Sequence, residues 1–284
     1  MTAVNDSDGV RLASTVVRRI FFYVLIGGGT AFFALPLLWL LSASFDDTPT
    51  YAVRVPRHFS LGSFAEIGRN PYALRSLLNS TVLAVATMAI VVTAAALAAY
   101  ALSRARVPGR DALLYALLLL SSVVTGTAAM VPIFLLIFQL GLIDSNVGVV
   151  LVLSGGLLPA AIFLLKDFID TIPRSYEESA RVFGASPLQI LRHIVVPVAR
   201  PGLATIGVWT VVQVWGSFLT PFILLRDPDK QPAAVLVRTF YTEGGSPNLK
   251  LIAAFSLLYS IPVVLMYLLA WSRYGFRFHG GIKS

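Results

Sequence analysis

Seven uncharged residues are the first candidates for chemistry: Asn79, Ser80, Thr125, Trp209, Gln213, Ser217 and Thr220. All lie in strongly apolar stretches. Thr205, Trp209, Gln213 and Ser217 recur at every fourth position, a spacing that puts them on one helix face with Thr220 close by. An indole beside hydroxyl and amide groups suits a polyhydroxylated ligand such as a sugar, which offers C–H patches and many hydroxyls. The same residues suit a second use, as hydrogen-bonding contacts between helices in an apolar medium. Spacing alone leaves both uses open. A path without fixed charge disfavours an anionic substrate. Groups for catalysis are not assembled. There is no cysteine, and His58, His193 and His279 fall in three separate loops or tails, so neither thiolate chemistry nor a zinc cluster is expected. No G-x-x-x-x-G-K-S/T phosphate loop occurs, and Gly27-Gly28-Gly29, inside an apolar run with no lysine after it, reads as a helix-packing site.

The elements that must position these residues are membrane spans. Of 284 residues, 57% are apolar and only 13% charged, against roughly 25% in a soluble domain. A mean hydropathy of +0.79 is too high for a chain that must also build a polar surface. Six segments are long and apolar enough to cross a bilayer: 20–44, 76–102, 112–139, 147–165, 201–225 and 251–272. None contains Asp, Glu, Lys, Arg or His. A proton-coupled carrier usually holds ionisable groups there. The fold class expected is therefore all-α integral membrane with about six transmembrane helices. The first span follows Arg18-Arg19 and its apolar stretch, about 25 residues, exceeds the roughly 7–15 of a signal peptide.

Charge sets the orientation. With the N-terminus cytoplasmic, the inside segments (the N-tail, 103–111, 166–200 and the C-tail) carry 14 Lys and Arg, against 8 outside; acidic residues divide 7 and 7. Both termini are thus expected in the cytoplasm. The net charge of +8 belongs to this bias toward one membrane face, so no nucleic-acid partner is expected. The domain plan is a cytoplasmic N-tail 1–17, irregular to about Ser14, a permease domain 18–275 and a C-tail 276–284. Loops 45–75 and 226–250 are extracytoplasmic and loop 166–200 cytoplasmic.

That cytoplasmic loop is long, and long loops are usually functional. It is punctuated like two short helices. Ser175 and Glu178 have capping-box spacing, and a helix from there stops at Gly184. Ser186, Pro187 and Gln189 repeat the pattern, followed by an apolar face of Leu188, Leu191, Ile194 and Val195 up to Pro197. Tyr176, Ala180 and Phe183 share one face of the first helix. So short a helix is marginal alone and must dock, either on lipid headgroups or in a groove of a protein partner. Ser179, Ala180 and Gly184 favour the close-fitting groove over lipid, which prefers bulky residues and many lysines.

The run Glu177-Glu178-Ser179-Ala180-Arg181-Val182-Phe183-Gly184-Ala185, with Ile190 and Val196-Pro197 beyond it, resembles the EAA loop of binding-protein-dependent ABC importer permeases. The likeness is greatest to the carbohydrate branch, and there to the maltose-type second permease subunit. Arg200-Pro201-Gly202-Leu203-Ala204-Thr205, Asp227-Pro228-Asp229-Lys230-Gln231 and the tail from Phe276 to Lys283 resemble the same branch. Two positions depart from it: Ser179 stands where alanine is usual, and Phe183 where aspartate is common.

The resemblance implies a type I permease fold with a cytoplasmic coupling helix. It implies an importer of a mono-, di- or oligosaccharide in the bacterial inner membrane, working by alternating access. Coupling to the ATPase would rest on Glu177, Glu178, Ser179, Ala180, Arg181, Phe183 and Gly184, although Glu178 would equally serve as a cap. The implied partners are a sister permease, a dimer of ATP-binding subunits that carry ATP and Mg, an extracytoplasmic solute-binding protein meeting loop 226–250, and membrane lipid. No cofactor is expected in this chain. Two alternatives stay open: an ABC importer of a glycerophosphodiester or polyol, and a secondary carrier or channel. A membrane enzyme would need a catalytic cluster that the scattered histidines do not supply.

Overall fold

A computed structural model describes residues 5–56, 58–105, 108–124, 127–241 and 245–274. Its elements are helical: α1 (Asn5–Ser44), α2 (Gly62–Arg69), α3 (Ala73–Arg104), α4 (Arg110–Val124), α5 (Met130–Gln139), α6 (Asn146–Asp170), α7 (Ser175–Val182), α8 (Pro187–Ile190), α9 (Val196–Val198), α10 (Arg200–Trp215), α11 (Leu219–Leu224), α12 (Ala233–Leu236) and α13 (Leu249–Tyr274). Among the described residues, four helices are long and apolar enough to cross a membrane: Val16–Ser44, Ala73–Arg104, Asn146–Asp170 and Leu249–Leu269. A bent pair, Pro187–Val198 and Arg200–Trp215, meets at 77° and makes up to a fifth.

Four of the six expected spans are therefore single helices, and two are built from pieces. Segment 112–139 divides into α4, a 3-10 turn at Thr127–Ala129, and α5. Segment 201–225 divides into α10 and α11 around Gly216–Phe218. Pro132 and Pro221 sit in the first turns of α5 and α11. A proline has no N–H for the carbonyl four residues back, and its ring crowds that carbonyl, which favours a break just upstream of either position. Pro36, Pro159 and Pro262 stay inside continuous helices. The N-terminal tail, expected to be irregular to about Ser14, is helical from Asn5. The expected cytoplasmic loop begins later than Lys166, because α6 runs on to Asp170.

The chain divides into two compact units, one of Met1–Arg69 with Tyr241–Leu257, the other of Asn70–Phe240 with Leu258–Ser284. In the first, α1 presents no buried surface along its most apolar stretch. A β-carbon at Gly27, Gly28 or Gly29 would meet nothing within 4 Å, so these glycines pack no helix among the described residues. At the end of α1, Asp46 is 3% exposed; it accepts from Thr48 N at 3.0 Å and from Arg54 Nε at 3.1 Å. Phe45 stacks on Phe59 beside it, with ring centroids 5.0 Å apart. Backbone hydrogen bonding and the Arg54 charge hold the Asp46 carboxyl below its usual range.

The second unit is built on α3. Leu83, Thr87, Val91, Ala95, Ala99 and Ser103 recur every four residues and are all buried. Mostly small side chains on one stripe let neighbouring helices approach closely. Toward one end this stripe packs with Ala161, Leu165 and Ile169 of α6, Ile190 and Val195 after α7, and Ile206 of α10. Toward the other it packs with Val149, Val214, Trp215 and Leu224. Trp215 Nε1 donates to the Tyr259 carbonyl at 3.1 Å, and the Tyr259 hydroxyl donates back to the Trp215 carbonyl.

Candidate functional site

The first part of the site is α7 and its footing. Arg174 occupies the N-cap in a helical conformation, with no side-chain cap. Its carbonyl accepts from both Glu177 N and Glu178 N, each at 3.0 Å. The helix thus starts one residue earlier than expected. Ser175 falls inside the first turn, and the Ser175–Glu178 capping box does not form.

The C-terminal end follows the sequence. Gly184 has φ +82°, Gly184 N donates to the Arg181 carbonyl at 2.9 Å, and Ala185 N to the Ala180 carbonyl at 3.1 Å. This is a Schellman stop, which favours glycine because a β-carbon strains that backbone. Glu178, Ser179, Arg181 and Gly184 are exposed, as are Tyr176 (55%), Val182 (85%) and Phe183 (90%). Ala180 turns back and packs on the core.

Glu177, one of the expected coupling residues, points inward. It is 1% exposed. Its Oε1 accepts from Arg104 Nε at 2.6 Å and its Oε2 from the Tyr100 hydroxyl at 3.2 Å. The cause is helical phase: with Ala180 three residues on, Glu177 sits on the inward face. Arg104 also donates to the carbonyls of Ile169 (3.3 Å) and Ile172 (3.1 Å) at the end of α6, and to Ser103 Oγ (3.1 Å). Ser103 in turn donates to Asp170, which pairs with Lys166 at 2.8 Å. Arg174 donates to the Ser103 carbonyl at 3.3 Å.

Beside α7, the second capping box is complete. Ser186 Oγ accepts from Gln189 N at 3.4 Å, and Gln189 Oε1 from Ser186 N at 2.8 Å. The following helix buries Ile190, Leu191 and Val195, whereas Leu188, assigned to that face, is 68% exposed. A π-helical turn at Leu191–Val195 shifts the phase. Pro197, which lacks an N–H, lies just beyond it. An open pocket of about 370 Å³ lies between the two short helices, lined by Phe183, Gly184, Ala185, Gln189, His193 and Ile194 among others.

The second part is a partly enclosed cavity of about 240 Å³ at the break between α10 and α11. Gln213, Ser217 and Thr220 line it with Phe218, Met130 and Leu153. The break opens the backbone at Gly216–Phe218 and gives three of the expected path residues one shared space. The others lie elsewhere. Trp209 packs against the core near α7. Thr205 donates to the Pro201 carbonyl of its own helix. Thr125 falls outside the described residues. Asn79 and Ser80 use their polar atoms on the segment after α11: Asn79 Nδ2 donates to the carbonyls of Asp229 (2.8 Å) and Gln231 (3.2 Å), and Ser80 Oγ accepts from Ala233 N (2.9 Å).

The start of that segment is not a plain polar connector. It contains a 3-10 turn at Pro228–Lys230, then α12, with Ala233, Val235 and Leu236 buried. Asp144, at φ +57°, fastens it: Oδ1 accepts from Arg226 N (3.0 Å) and Asp227 N (3.1 Å), and Oδ2 pairs with Lys230 Nζ (3.0 Å). The Asp227 amide, then Lys230, pull the Asp144 carboxyl below its usual range; the bond to Asp144 raises the Lys230 ammonium above its own.

Sequence reasoning missed Arg104, Tyr100 and Asp144. Arg104 was visible only as one of three basic residues in a short turn, and nothing in the spacing paired it with a carboxylate 73 positions away.

Residues 109–274 match the family described as binding-protein-dependent transport system inner membrane component. The polygalacturonan/rhamnogalacturonan transport system permease protein YtcP of Bacillus subtilis is 31% identical over 273 residues, covering 88% of this chain and 94% of that protein. The galactooligosaccharides transport system permease protein GanQ of the same organism is 29% identical over 258 residues, covering 89% and 91%. The trehalose transport system permease protein SugB of Mycobacterium tuberculosis is 30% identical over 245 residues, covering 84% and 88%. A chain in the crystal structure of a bacterial ABC transporter that imports the acidic polysaccharide alginate shares the fold, with a TM-score of 0.80 at 23% identity over 92% of this chain and 98% of that one. The chain belongs to the binding-protein-dependent transport system inner membrane components, as a multi-pass permease subunit rather than an enzyme.

Proposed function

We propose that this chain is the permease subunit of an ATP-driven importer of a sugar or oligosaccharide, coupled through α7 to a separate ATP-binding subunit. The observation that carries the coupling is the two-sidedness of α7. Its inner face is fixed by buried bonds, while Tyr176, Val182 and Phe183 stand out, large and apolar, next to an open pocket. Phe183, where the resembling family often has aspartate, adds apolar contact area without obstructing docking. Glu178, Ser179, Ala180, Arg181 and Gly184 complete the element that meets the ATPase.

The sugar assignment draws on relatives named for galactooligosaccharide, trehalose and polygalacturonan/rhamnogalacturonan transport. It draws also on the cavity lined by Gln213, Ser217, Phe218 and Thr220, which combines an aromatic side chain with hydroxyl and amide groups and no charged residue. A sister permease forms the other half of the path, two ATP-binding subunits hold ATP and Mg, and a solute-binding protein delivers ligand to the outer side. Loops 45–75 and 226–250 face that side; both termini and 166–200 face the cytoplasm, as the Lys and Arg bias requires. ATP closes the nucleotide-binding dimer, and the coupling helices shift the spans between two states of different contacts.

Reconstitution of the complex with its binding protein in vesicles tests this reading. Stimulation of ATP hydrolysis and uptake by sugars is expected. Stimulation by glycerophosphodiesters or polyols alone would replace the substrate, and full uptake by this chain alone would replace the mechanism.

A further inference from the structure

The Arg104–Glu177 pair is buried at both ends, with side chains 9% and 2% exposed. Burying two charges is costly, and such a pair is weak evidence for stability alone. What distinguishes this one is where its bonds go. One guanidinium, at the last residue of α3, reaches the α7 carboxylate through Nε and, through Nη2, the carbonyls of Ile169 in the last turn of α6 and Ile172 just past its end. The Ile169 carbonyl belongs to the negative end of the α6 dipole, where a cation is favoured. A planar fork with five donors reaches α7 and the end of α6 from α3 in one fixed geometry, which the flexible point charge of a lysine does not impose. The Tyr100 hydroxyl, one turn before Arg104, holds the second carboxylate oxygen at 3.2 Å. Arg181 approaches that oxygen only from 3.9 Å and is 56% exposed. The docking helix is thus tied to α3 and α6 by charge-assisted bonds.

We propose that Glu177, Arg104 and Tyr100 form the joint through which displacement of α7 is passed to α3, the helix at the centre of its unit, and that all three are positioning residues for transport. The proposal rests on the reading of α7 as the element seated on the ATP-binding subunit. It assigns Glu177 a role distinct from Glu178: Glu178 faces outward toward the partner, whereas Glu177 faces inward and holds the helix to the spans. A joint must resist shear in both directions of a cycle. Short bonds to three helix ends do so better than apolar contact, which slides.

The test uses the complete importer in vesicles, with uptake and ATP hydrolysis measured on the same preparation and normalised to assembled complex. Glu177→Gln keeps the size of the side chain and removes its charge. Uptake per ATP hydrolysed is expected to fall about tenfold, and Arg104→Gln added to it to lower the ratio little further, because the two changes remove one shared contact. Tyr100→Phe, which removes one hydroxyl, is expected to give a smaller loss in the same ratio. A role in folding alone lowers the amount of complex and leaves the ratio untouched; that outcome overturns the proposal. Should Glu177→Gln fail to assemble, Tyr100→Phe decides: assembled complex with a lowered ratio supports the joint, and assembled complex with an unchanged ratio overturns it. Ser179→Trp, which adds bulk on the outward face, separates this from the parent reading. If it leaves copurification with the ATP-binding subunit intact, α7 is not the docking element, whatever Glu177 does.

Discussion

Gly184 shows how much one backbone angle decides. At φ +82° nothing lies within 4 Å of where a β-carbon would be, so a side chain there has room in this chain but a strained backbone. Gly184→Ala is expected to cost about 1 kcal/mol through that strain, read as a lower melting temperature of the isolated subunit in detergent. Gly184→Trp adds bulk facing outward, and should in addition reduce copurification with the ATP-binding subunit; intact copurification would place the partner elsewhere. Asp144 makes a different residue-scale point. Its carboxyl is lowered by the Asp227 amide first and Lys230 second, and the Lys230 ammonium is raised by its bond to Asp144. A lowered acid stabilises the fold above its unfolded value and loses that contribution as pH falls through the folded one. A raised base contributes below its unfolded value and loses it as pH rises through the folded one. The stability difference between wild type and Asp144→Asn should therefore be level through neutral pH. It should shrink below about pH 4 and above about pH 10, near the ordinary values for the two groups. Melting curves across pH check this, and a difference that persists at pH 2 would count against the assignment.

At the scale of elements, the two broken spans matter more than the unbroken ones. The cavity of Gln213, Ser217 and Thr220 exists because α10 stops at Trp215 and α11 restarts at Leu219. Pro221→Ala restores the missing N–H and removes the ring that excludes the Ser217 carbonyl from helical pairing. Alanine also favours helix by about 3 kcal/mol over proline in a helix interior. The variant should be at least as stable as wild type yet import poorly, because a continuous helix closes the space; normal uptake would remove the cavity from the transport path. Gln213→Leu keeps the helix and the volume but deletes the amide. Its expected effect is a rise in the apparent KM for sugar of about tenfold, as when one buried polar contact to a ligand hydroxyl is lost, with assembly unchanged.

At the scale of the molecule, the fixed features are internal and the exposed ones await partners. The long first helix presents its aromatic residues outward, with Phe32 and Phe33 each 73% exposed, and α7 presents Phe183 at the opposite extreme of polarity from its buried Glu177. In the proposed mechanism the energy comes from a separate ATP-binding subunit, so vesicles holding this chain alone should show no ATP-dependent uptake. Adding the sister permease, the ATP-binding subunits and the loaded binding protein should restore uptake. Equal uptake without ATP would mean a carrier or channel.

The sequence by itself determined what is local or summed along the chain. Apolar runs longer than a bilayer is thick fixed the membrane class. The Schellman stop at Gly184 and the Ser186–Gln189 box were legible because each involves residues a few positions apart. Tertiary structure decided what depends on helical phase and on distant partners. Ser175 lost its cap to Arg174 through a one-residue shift in where the helix begins. Glu177 turned inward because α7 lies against the end of α3. Leu188 was left outside by a π-helical turn. Asn79 and Ser80, polar residues in an apolar run like Gln213 and Ser217, differ from them only in what stands opposite: a loop backbone in one case, an open cavity in the other. Periodicity tells which residues share a face, but the neighbour that face meets is fixed by packing between segments far apart in the chain.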